Sequence, residues 1–95
     1  MSNPIATNFG RNLAAARKRA GMSQEEVGYR ASLHRTEIGL LERAERVPRI
    51  DTAVKLAGAV GVHVGQLLDG IAWSPGSRQL GAFKPTEPSE GEPKR

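Results

Sequence analysis

Apolar residues recur at helical spacing through most of the chain. Ile5, Phe9, Leu13 and Ala16 follow one another at intervals of four, four and three residues, which places them on one stripe of a first helix ending near Gly21. Arg17, Lys18 and Arg19 close this helix, where cations suit the negative end of its dipole. Ser23 followed by Gln24, Glu25 and Glu26 predicts the next N-terminus, with Ser23 as cap and Glu26 at the capping-box position. That helix runs to about Ala31. Ser32 and Leu33 then form a tight turn, and a third helix from His34 to Arg43 turns Ile38 and Leu41 inward. Two short helices this close together suggest a helix-turn-helix.

Arg46 to Arg49 is a loop marked by Pro48. Asp51 can cap a fourth helix to Val60, with Ala53, Val54, Leu56, Ala57 and Val60 as its apolar face and Gly61 as its stop. A short fifth helix from about Val64 to Asp69 carries Leu67 and Leu68. The fold class expected is therefore all-α, with five helices in one domain over residues 1–73.

Beyond Ser74 the composition shifts. Four of the six prolines, Pro75, Pro85, Pro88 and Pro93, fall there with Gly76, Gly81 and Gly91, so residues 74–95 are expected to be mostly irregular and disordered from about 85. Ile71-Ala72-Trp73 and Leu80-Gly81-Ala82-Phe83 flank the turn-like Ser74-Pro75-Gly76. They suit a short hairpin, or a strand paired across a dimer, at 71–84. Leu67, Leu68, Ile71 and Trp73 offer apolar area that either closes the core or meets a second copy.

A chain of 95 residues has room for one small domain. Fourteen Lys and Arg against ten Asp and Glu leave a net charge of +4, with ten of the basic and seven of the acidic side chains inside residues 1–73. That excess suits a polyanionic partner. With no cysteine and only His34 and His63 as histidines, thiolate sites are excluded and no metal or cofactor is expected. Glu25, Glu26, Glu37 and Glu45 read as solvated helix faces, because no nucleophile or histidine accompanies them as catalytic acids would require. An enzyme is not expected. The N-terminal stretch is too interrupted for a signal peptide, and no apolar run reaches membrane-spanning length, so the expected compartment is the cytoplasm.

The order Arg17-Lys18-Arg19-Ala20-Gly21-Met22-Ser23-Gln24, then Val27, Ile38, Leu41, Glu42, Arg46, Pro48, Leu56 and Gly61-Val62 resembles the lambda-repressor-like, Cro-type (XRE) helix-turn-helix family. His34-Arg35-Thr36 with Leu40-Leu41-Glu42-Arg43 is similar to an actinobacterial-type subgroup in which this tripeptide opens the recognition helix. The resemblance implies a sequence-specific regulator of transcription, of repressor type, that binds double-stranded DNA as a homodimer. It also implies a partly buried salt bridge between Arg17 and Glu42. The chain departs from the family at Gly28, where alanine is usual, and at Ser32 and Ala44, where glycine is usual. Ser32 and Ala44 must accept a positive φ or bend the chain differently.

In such folds the recognition helix enters the major groove and its first residues face base edges. His34, Arg35, Thr36 and Leu40 are thus the base-contacting candidates. Arg35 suits a bidentate contact to guanine, and Leu40 meets a thymine methyl or extends the core. Gln24, Arg43, Arg46 and Arg49 are the candidate phosphate contacts. A rival reading of the same fold is an antitoxin-type or bridging protein that works mainly through a protein partner, reached through the tail.

Overall fold

The computed structural model describes residues 3–85. Helices α1 (Pro4–Arg19), α2 (Gln24–Ala31), α3 (Arg35–Glu42), α4 (Ile50–Val60) and α5 (Val64–Leu67) are followed by strands β1 (Ile71–Ser74) and β2 (Ala82–Pro85). The five helices expected from the sequence are all present. The strands pair antiparallel, with Ile71 opposite Pro85 and Trp73 opposite Phe83. Residues 86–95, which carry most of the stretch expected to be disordered, lie outside the described residues.

Local chemistry starts the helices. Asn3 caps α1, its Oδ1 accepting from the amides of Ile5 at 2.8 Å and Ala6 at 3.2 Å, and Pro4 takes the first helical position, where its missing donor costs nothing. Ser23 Oγ accepts from the amide of Glu26 at 3.0 Å. The reciprocal half of the capping box is not formed, because the Glu26 carboxylate turns along the helix to Arg30, 3.2 Å away. His34 caps α3, its Nδ1 accepting from the amide of Thr36 at 3.1 Å. Asp51 does not cap α4. The cap position is Arg49, which makes no side-chain cap bond, and Asp51 sits in the first turn with its carboxylate on Arg49.

Each of the first four helices ends in one motif, an amide bonded to the carbonyl five residues back across a residue with positive φ: Met22 to Arg17, Leu33 to Gly28, Glu45 to Leu40 and Val62 to Ala57. At two of these ends the left-handed residue is glycine, Gly21 or Gly61; at the other two it is Ser32, with φ 59°, and Ala44, with φ 63°. The positive φ is thus accepted rather than avoided. A Cβ in this region costs about 1–2 kcal/mol, offset in part by the greater freedom of an unfolded glycine. Ala44→Gly is therefore expected to raise stability by about 0.5–1 kcal/mol in denaturant unfolding; a lower midpoint would show that Ala44 is not strained.

Phe9, Leu13, Val27, Ile38, Leu41, Leu56 and Leu67 are fully buried and form the centre of the core, and among the described residues no charged side chain joins them. Full burial removes Leu67 from the candidate dimer surface, since a side chain enclosed between α1, α4 and α5 has nothing to offer a partner. Val54, expected on the inner face of α4, is instead 54% exposed beside Ile50 at 84%. The inner stripe is Ala53, Leu56, Ala57 and Val60, joined by Ala59. Asn8 and Asn12, which interrupt the apolar pattern of α1, donate to the Asp69 carbonyl at 3.2 and 2.9 Å, and Asn12 also to that of Leu67 at 3.0 Å. They tie the end of α5 to α1. Among the described residues no helix is long and apolar enough to cross a membrane.

Candidate nucleic-acid interface

The outer side of α3 carries the exposed Arg35 and Thr36, followed just past its end by Arg43, with the buried Gly39 between them. With Gln24 from the first turn of α2 they line a shallow concavity of about 190 Å³. Two glycines make the arrangement compact. A Cβ on Gly28 would lie 2.7 Å from the Leu33 carbonyl oxygen and 3.2 Å from the Arg35 amide, so α2 meets the start of α3 backbone to backbone. A Cβ on Gly39 would lie 3.0 Å from Arg43 Nη1 and 3.6 Å from Gln24 Oε1, so glycine leaves the space that these two polar side chains occupy. The sequence pattern does carry this signal, because Gly39 falls four residues from both Arg35 and Arg43.

Beneath this face Arg17 and Glu42 come together. Arg17 Nε lies 2.6 Å from Glu42 Oε2 and Nη2 lies 3.0 Å from Oε1, a bidentate pair whose side chains are 14% and 8% exposed. Arg17 also donates to the Met22 carbonyl at 3.0 Å, and Gln24 Nε2 donates to Glu42 Oε1 at 2.9 Å. The hydrogen bond to Glu42 raises the Arg17 pKa further above its ordinary value, against the effect of partial burial. One carboxylate therefore joins α1, the turn before α2, Gln24 and the end of α3.

The remaining candidates fall into two groups. His34, Arg35 and Thr36 are exposed at the start of α3, and among the described residues Arg35 has no ion-pair partner. Leu40 is half-buried and does not line the concavity. Arg43, Arg46 and Arg49 each hold a carboxylate: Glu45 at 3.1 Å, Glu37 at 2.6 Å and Asp51 at 3.1 Å. Glu37 is therefore not a freely solvated face residue; its side chain is 25% exposed and bound to Arg46.

A second surface is apolar. Ile5, Val47, Ile50, Val54, Val64 and Leu68 line a hollow of about 320 Å³ between α4 and the start of α5. Ile71 is half-buried, and Trp73 is 56% exposed with its ring edge-on to Phe83, centroids 5.0 Å apart. Among the described residues no group of three or more His, Asp or Glu side chains is placed to hold a metal ion.

A family model described as a helix-turn-helix domain matches residues 8–69. The control protein C.BamHI of Bacillus amyloliquefaciens is 37% identical over 70 residues, 73% of this chain and 86% of that protein. Among solved structures, the restriction-modification controller protein C.AhdI from Aeromonas hydrophila matches with a TM-score of 0.63 at 31% identity, over 65% of this chain and 94% of that one. The P22 c2 repressor, solved in complex with a synthetic operator, matches with a TM-score of 0.61 at 26% identity, again over 65% and 94%.

Proposed function

Because the chain belongs to the helix-turn-helix domain family, we propose that it binds double-stranded DNA by sequence and regulates transcription as a repressor. The observation that carries this reading is the outer face of α3, where an exposed Arg35 without an ion-pair partner among the described residues stands beside Thr36, over a concavity framed by Gln24 and Arg43. A helix of this kind reads base edges with its first residues, while neighbouring basic groups and amides hold phosphates. Arg35 offers a fork of donors for guanine O6 and N7, and Thr36 a hydroxyl and a methyl. Gln24, with one amide hydrogen on Glu42, keeps the other for a phosphate. The test is selection of bound duplexes from a random pool at low salt. Enrichment of a short half-site supports the reading, and failure to enrich any duplex refutes it.

One recognition helix spans only a few base pairs, and paired half-sites need paired domains. The homodimer is proposed to form through the hollow holding Ile50, Val54 and Leu68, because apolar side chains this exposed and this close together lose water only against a partner. Ile50→Glu with Val54→Glu is expected to give a monomer in sedimentation at concentrations where the native protein is dimeric, and to weaken DNA binding by at least about tenfold through lost avidity. A double variant that stays dimeric would assign the interface elsewhere.

A further inference from the structure

We propose that Glu37 is a further base-reading residue, selecting an exocyclic amino group of cytosine or adenine in the major groove, with Arg46 positioning it. The proposal rests on the DNA-binding reading above. Glu37 lies in the first turn of α3, about 100° round the helix from Thr36 and at the edge of the outer face, so a helix seated with its first turn in the groove brings Glu37 to the groove's flank. A lone carboxylate there would face phosphates and base acceptors at a large electrostatic cost. The structure already supplies the compensation: Arg46 Nη1 lies 2.6 Å from Glu37 Oε1 and cancels its charge.

The pair also restrains the carboxylate, since Glu37 is only 25% exposed although it sits on the surface of the helix. Among the described residues no donor reaches Oε2, which is left as an acceptor. In the major groove, guanine and thymine present acceptors, O6, N7 and O4, whereas cytosine presents the N4 amino group and adenine the N6 amino group. A fixed, acceptor-only oxygen is therefore satisfied by cytosine or adenine and repelled by guanine and thymine. Cytosine suits it better, because adenine adds the N7 acceptor beside its donor. Arg46 acts through Glu37 here and can hold a phosphate with its remaining donors at the same time.

The experiment is selection from a random duplex pool with the native protein and with Glu37→Ala, Glu37→Gln and Arg46→Ala, each first checked for a cooperative unfolding transition. One position of the native half-site is expected to favour cytosine or adenine by about five- to tenfold, the low end of what a bidentate pair gives. In Glu37→Ala that preference should fall to within about twofold while the guanine preference attributed to Arg35 persists, and in Glu37→Gln it should move toward adenine. Arg46→Ala should weaken the preference at this same position. A Glu37→Ala half-site identical to the native one overturns the proposal, and Arg46→Ala lowering all affinities with the preference intact overturns the positioning role. If the native protein enriches nothing, the DNA-binding reading itself has failed.

Discussion

Glu42→Ala is expected to cost the domain about 3–5 kcal/mol and to lower its melting midpoint by more than about 10 °C. The reason is what the substitution leaves behind. Arg17, 14% exposed, would keep its charge against α3 without the carboxylate that holds two of its nitrogens, and Gln24 would lose the acceptor that fixes its amide. Removing one member of a mostly buried pair is costly in this way even where the intact pair adds little to stability. Glu42→Gln keeps the size and one acceptor oxygen, so it should fall between alanine and the native protein. Against a total stability of about 5–15 kcal/mol for a domain, the alanine variant stands near the edge of folding. Thermal unfolding followed by circular dichroism measures it. A midpoint within about 4 °C of the native value would mean that the packing of Leu41 and Ile38, and not this pair, holds α3 in place.

Arg35→Ala should leave the fold intact and remove discrimination at the guanine position. The side chain is exposed and, among the described residues, tied to no carboxylate, so its loss opens no cavity and leaves no buried charge. A good bidentate contact to guanine is worth about 1–3 kcal/mol of discrimination, so the preference for a selected half-site over a mixed sequence should fall by about ten- to hundredfold. Titration of both duplexes at fixed salt is the measurement. If affinity for the two falls equally, Arg35 is a phosphate contact, and base reading shifts to Thr36, Glu37 and Leu40. The salt dependence separates these cases further, because each lost phosphate contact lowers the slope of log K against log salt by about one.

Much of the fold is legible in the chain because helix boundaries and core positions are local or periodic properties. Ser23 and Gly21 mark the break between α1 and α2 by the chemistry of a cap and the φ of a glycine, and the spacing of Phe9, Leu13 and Ala16 names the buried stripe. The groove-facing helix follows from the same signals, together with the family pattern that brings Arg17 to Glu42. Periodicity is less informative where an apolar residue borders the buried stripe. Leu67 and Leu68 are neighbours of equal character, yet one is wholly enclosed and the other is 43% exposed. On α4, Val54 reads as core and stands in the open beside Ile50.

By itself, then, the sequence determined the number and order of the helices, the cap at Ser23, the core stripes of α1 and α3, and the choice of α3 as the candidate reading helix. Only the tertiary structure decided that Glu37 joins Arg46 rather than solvent, that Asn8 and Asn12 bind the end of α5, and that Ser32 and Ala44 accept a positive φ. The physical reason is range. Caps and stripes depend on residues within about a turn of one another, whereas ion pairs, inter-helix hydrogen bonds and strained turns depend on where the other helices come to rest.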